Sequence, residues 1–115
     1  MNYCERVSSQ SGKVEELRSF IKSKTGLHSY IKADGDSLQV NIVNFSKNLK
    51  CKVIFTDFDV IPVANVNNKD LNQLKFVWNE FLSNEFGEEF KTAYHNYYFR
   101  NVNVDILKKD DTQER

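Results

Sequence analysis

The stretch Val53-Ile54-Phe55-Thr56-Asp57-Phe58-Asp59-Val60 (VIFTDFDV) decides how this chain folds. From Lys50 to Val60 both sides of an extended segment are apolar, with Cys51, Val53 and Phe55 on one face and Ile54, Phe58 and Val60 on the other. A strand that is apolar on both faces belongs at the centre of a sheet. The reading is therefore one continuous strand over 50–60, stopped by Pro62, which has no N–H to give to a ladder. Asp57 and Asp59 project from its end on the side of Val53 and Phe55.

Upstream, His28–Ala33 and Leu38–Phe45 alternate polar and apolar residues, and Asp34-Gly35-Asp36-Ser37 between them has the composition of a hairpin turn. Phe45 to Leu49 turns the chain back into the 50–60 strand. Before the hairpin, Val14, Leu17, Phe20 and Ile21 recur at helical spacing. Glu15 and Glu16 in the first turn and Lys22 and Lys24 in the last match the helix dipole, and Gly26 is a natural stop. Residues 1–12 read as a polar leader.

Downstream, Asn67 and Asn68 are N-cap residues for a helix over about 69–86. Leu71, Leu74, Val77, Trp78, Phe81, Leu82 and Phe86 share about half its circumference at the helical repeat. Phe76 falls on the other side, among Asn72, Asn79, Glu80 and Ser83. Gly87 interrupts, and Phe90, Ala93, Tyr94 and Tyr97 begin a rotated stripe, which implies a kink or two helices. Val102, Val104 and Ile106 alternate as a short last strand, and 108–115 is a solvated tail. The expected fold class is α+β, with a three- to four-stranded antiparallel sheet, an N-terminal helix and one or two C-terminal helices packed on it. The length of 115 residues suits a single domain.

Bulk composition excludes several functions. At 40% hydrophobic and 28% charged the chain is globular and not disordered. Sixteen basic and sixteen acidic side chains give a formal net charge of zero, which counts against a generic phosphate-backbone binder. It leaves room for self-association or burial against a partner. Cys4 and Cys51 make neither a disulfide framework nor a metal-spaced pair, so a reducing cytoplasm is the expected setting. No window is apolar enough to cross a membrane. Asn and Lys are abundant, as AT-rich coding produces in phages and low-GC bacteria.

Locally, VIFTDFD resembles the first motif of haloacid-dehalogenase-type phosphatases, where the first Asp is the nucleophile and the second the acid/base. The resemblance implies those roles for Asp57 and Asp59. That family continues Asp-Gly-Thr where this chain has Asp59-Val60-Ile61, and carries the motif on the first strand of a parallel sheet. The chain after Asp59 is too short for the family's later motifs and the helices between them. A narrower reading keeps a divalent ion on Asp57 and Asp59, without an assignable third ligand. The order of elements is also that of double-stranded-RNA-binding domains, but Asn68-Lys69-Asp70-Leu71-Asn72-Gln73 is neutral where such domains place a lysine cluster.

No catalytic constellation, Gly-rich phosphate loop or cofactor motif is present in the sequence. The expected function is a small non-enzymatic module that binds another protein, most concretely a phage-encoded inhibitor of a host defence system, anti-CRISPR-like, acting in the host cytoplasm. The residues expected to meet the partner are Phe76, Glu80, Tyr98, Phe99 and Arg100, aromatic and charged groups left off the core stripes. No metal or cofactor is expected. The alternatives are a small metal-dependent hydrolase or nuclease using Asp57 and Asp59, and an RNA- or single-strand-binding module using Tyr94–Arg100.

Overall fold

In the computed structural model VIFTDFDV is a corner and not one strand. Val53 to Phe55 end a strand, Thr56, Asp57 and Asp59 lie in the turn, and Val60 opens the next strand. The structure describes residues 2–44, 49–57 and 59–101, with 44, 49 and 91–101 described by backbone alone. The elements in order are α1 (Tyr3–Ser9), α2 (Lys13–Thr25), β1 (His28–Asp34), β2 (Ser37–Asn44), β3 (Leu49–Phe55), β4 (Val60–Ala64) and α3 (Asn68–Asn101). The fold is α+β, as expected, around a four-stranded antiparallel sheet of order β1-β2-β3-β4. The expected link at 45–48, Phe58, the short strand at 102–106 and the tail at 108–115 lie outside the described residues.

The expected stop at Pro62 is therefore corrected: Pro62 sits inside β4. Proline is tolerated there because β4 is an edge strand. The β1–β2 hairpin forms where its composition placed it, with Gly35 and Asp36 as a two-residue loop closed by the Asp34–Ser37 pair. Gly35 has φ 63°, as the first central position of a type II′ turn requires.

Strand register sorts the side chains into two faces. Leu38 lies opposite Phe55, Val40 opposite Val53, and Ile42 opposite Cys51. Leu38, Val40, Ile42, Val53 and Phe55 are buried, together with Val60 of β4, and Cys51 is half-buried. Leu17 and Ile21 of α2 and Leu74, Val77, Trp78, Phe81 and Leu82 of α3 complete the same core. Full burial of Leu17 or Ile21 is worth about 1.5–3 kcal/mol each. Helices α2 and α3 run antiparallel, because Lys13 at the start of α2 pairs with Glu85 and Lys24 at its end pairs with Glu80.

Residues 1–12, expected to be a polar leader, include helix α1 with Tyr3, Cys4 and Val7 buried. Asn2 accepts from the Glu5 backbone N–H at 2.8 Å, and the Glu5 side chain accepts from the Asn2 N–H at 3.1 Å. The two bonds make a reciprocal capping box. A helix this short is not stable alone, so tertiary contacts hold it.

Helix α3 kinks where expected. Gly87 has φ 57° and ψ −132°, a conformation open to glycine and strained for any other residue. The break swings Phe90 back into the core, edge-on to Tyr3 with ring centroids 5.6 Å apart. It also brings Glu89 to Arg6 and to the Tyr3 hydroxyl. Those two contacts, Arg6 foremost, hold the Glu89 carboxyl below its usual pKa. Space around Gly87 is open, so a methyl group there meets no neighbour. Gly87→Ala is expected to cost about 1–2 kcal/mol through backbone strain alone, read as a lowered Tm in thermal denaturation.

Candidate functional site

The sequence directs attention first to Asp57. A carboxylate at a strand end is exposed unless something covers it, and here α1 does. Asp57 is only 6% exposed. One of its oxygens accepts from the Tyr3 backbone N–H at 3.0 Å and from the Cys4 N–H at 3.2 Å. The other accepts from the Tyr3 N–H at 3.1 Å. These are N–H groups of the first turn of α1, which have no partner within the helix. Asp57 is thus a cap supplied from across the fold, and the helix dipole favours its charge. Cys4 lies beside it with its Sγ 3.3 Å from the Phe55 carbonyl. Burial, reinforced by the Asp57 charge, pushes the Cys4 thiol pKa well up. Burial does the same for Cys51, which holds both as thiols at neutral pH.

Asp59 has a different task. Its Oδ1 accepts from the Val60 N–H at 2.8 Å and lies 3.2 Å from the Lys75 ammonium. The Thr56 N–H and hydroxyl both donate to the Asp59 carbonyl, closing the turn. The Trp78 indole N–H donates to the Thr56 carbonyl at 2.7 Å. The corner is therefore tied to α1 through Asp57 and to α3 through Lys75 and Trp78. Among the described residues no three His, Cys, Asp or Glu side chains converge on a point.

Of the residues expected to meet a partner, Phe76 and Glu80 have described side chains, and both are half-buried. Phe76 is half-buried and packs against the core, and its neighbour Asn79, expected on the polar face, is 1% exposed. Helix α3 is covered from more directions than a single sheet-facing stripe allows: Phe81 meets Phe20 of α2, and Phe86 meets Tyr3 of α1. Glu80 pairs with Lys24 at 3.2 Å, one turn along from Phe76. Tyr98, Phe99 and Arg100 lie on the backbone of α3, and their side chains fall outside the described residues.

The structure draws attention to a surface that sequence reasoning missed. The second set of register rows points away from the helices: His28, Val43 and Lys50; Tyr30, Asn41 and Lys52; Lys32, Gln39, Ile54 and Ile61. Tyr30, Ile61 and Val63 are the large apolar residues exposed among those described, at 61%, 45% and 49%. Between Tyr30, Asn41, Val43, Lys50, Lys52 and Ala64 lies a depression of about 400 Å³. Lys32, Lys50 and Lys52 enter no ion pair among the described residues. Period-two alternation over 50–54 could have revealed the two lysines on the face opposite Val53 and Phe55.

The edges of the sheet are guarded, while the buried helix side chains among the described residues pack on the opposite face. Antiparallel pairing alternates inward and outward hydrogen-bonding positions. With Thr56 bonded to Asp59, the nitrogens of Val60 and Pro62 point to the free edge of β4. The Val60 N–H is taken by the Asp59 side chain, and Pro62 has none. On β1, the Arg18 guanidinium Nε donates to the Ser29 carbonyl at 2.9 Å. Such blocking opposes addition of a further strand.

No family model, curated protein or solved structure matches this chain.

Asp57→Ala strands two N–H groups of α1 and is expected to cost about 2–4 kcal/mol, with Asp57→Asn, which keeps one acceptor, roughly half as costly. Denaturant unfolding measures both, and an unchanged midpoint in Asp57→Ala would contradict the capping role. Phe76→Ala is expected to lower stability by about 1–2 kcal/mol, in the same assay, because its ring packs on the core.

Proposed function

We propose that this chain is a small non-enzymatic module that binds another protein through the uncovered face of its sheet. The observation that carries the reading is that, among the described residues, all three helices pack on one side of an edge-guarded sheet and leave Tyr30 exposed on β1 and Ile61 and Val63 exposed on β4. Exposed apolar groups gathered on one surface mark interaction sites. Four strands with a fixed register hold that surface in one shape, which lowers the ordering cost of association.

The same geometry weighs against Asp57 as a nucleophile or metal ligand. Its oxygens already accept backbone N–H groups, and α1 covers the carboxylate. In its most concrete form the proposal is a phage-encoded, anti-CRISPR-like inhibitor of a host defence system. Small size, Asn- and Lys-rich composition and balanced charge support that form.

The double variant Ile61→Ser, Val63→Ser removes two exposed apolar groups from β4. Its stability is expected to stay within about 0.5 kcal/mol of the parent. Capture of the partner from the native host, followed by mass spectrometry, is expected to be lost. Retained capture by the folded double variant would place the contact elsewhere.

A further inference from the structure

We infer that the partner segment seated on this face is acidic, with Lys50 and Lys52 as the charge anchors and the aliphatic residues of β3 and β4 as its apolar bed; this rests on the protein-binding reading above. Lys50 and Lys52 are alternate residues of β3 and so lie on the same face. Alternate residues of a strand stand about 7 Å apart. Lys32 is on the same side two strands away, on β1. The one carboxylate among these outward rows, Asp34, sits at the hairpin end and accepts from Gln39 Nε2 at 3.0 Å. Lys32, Lys50 and Lys52 thus share one face and enter no ion pair among the described residues, whereas Lys13, Lys24 and Lys75 on the helix side are each matched by a carboxylate. Complementarity assigns these unmatched lysines an acidic occupant.

Two other occupants fit less well. A second copy meeting this face symmetrically would set lysines against lysines. A nucleic-acid single strand needs open aromatic rings to stack on. Tyr30 is the exposed aromatic among the described residues, and the Arg18 guanidinium already lies 5.6 Å from its ring centroid. Arg18 is itself held by Glu15 and the Ser29 carbonyl, so it is not free to follow a phosphate chain. The remaining exposed apolar groups, Ile61 and Val63, are aliphatic and suit side chains better than bases.

The test is a two-dimensional ¹H–¹⁵N titration of the full chain with three probes: a short Glu-rich peptide carrying Leu, the same peptide with Gln for Glu, and oligo(dT). The Glu peptide is expected to shift the amides of Tyr30, Asn41, Val43, Lys50 and Lys52. Its apparent Kd should rise about tenfold between roughly 50 and roughly 300 mM salt. Lys50→Glu with Lys52→Glu should abolish the shifts, while Lys22→Glu on α2 leaves them. Equal binding of the Gln peptide at the same amides overturns the acidic occupant and leaves the protein-binding reading standing. Tighter binding of oligo(dT) overturns it in favour of nucleic acid. Silence of this face towards all three probes overturns it outright, and the Ile61, Val63 capture experiment then judges the broader reading separately.

Discussion

The Asp57 carboxylate is the constraint on which the rest of this structure depends. A buried carboxylate is tolerated only when its oxygens are satisfied, and a short helix persists only when something holds its unpaired N–H groups. Each problem solves the other here, because Tyr3 and Cys4 donate to Asp57. The corner that carries it also binds α3 through the Trp78 indole and the Lys75–Asp59 pair. One short turn between β3 and β4 thereby sets where two of the three helices stand relative to the sheet.

That placement has a consequence for the opposite side. With α1, α2 and α3 gathered over one face, the other face keeps Tyr30, Lys32, Lys50 and Ile61 exposed among the described residues. Proteins with exposed sheets risk pairing through their edges. This chain suppresses that route with Pro62, the Asp59–Val60 bond and the Arg18–Ser29 bond. What is left available among the described residues is a basic and aliphatic face, so the proposed partner would meet side chains and not add a strand.

Much of the secondary structure was legible from local rules. Helix α2 carried its dipole charges and its glycine stop, and Gly26 does donate its N–H to the Lys22 carbonyl at 2.8 Å. The Gly35-Asp36 hairpin and the kink at Gly87 followed from glycine placement. Helix α1 was not recognised, although Asn2 and Glu5 have capping-box spacing, because only Tyr3, Cys4 and Val7 hint at an apolar side. The β3–β4 corner resembles one continuous strand in sequence because Thr56-Asp57-Phe58-Asp59 contains neither Gly nor Pro to announce a turn.

The candidate surface was less legible than the fold. Phe76 stands off the apolar stripe, which implies exposure, but a helical wheel assumes one buried side, and here Asn79 on the other side is buried and Glu80 meets Lys24 of α2. Conversely Tyr30, Lys52 and Ile61 come from three different strands and are placed on one face only through strand register. The sequence by itself determined the α+β class, the antiparallel hairpin, the bounds of α2 and the neutral charge, since each follows from propensity, periodicity or counting over a few residues. Only the tertiary structure decided that Asp57 is a helix cap and that the helices, among the described residues, gather on one sheet face. Both depend on which groups meet across long stretches of chain, as Tyr3 and Asp57 do at a separation of 54, and no local pattern encodes such a meeting.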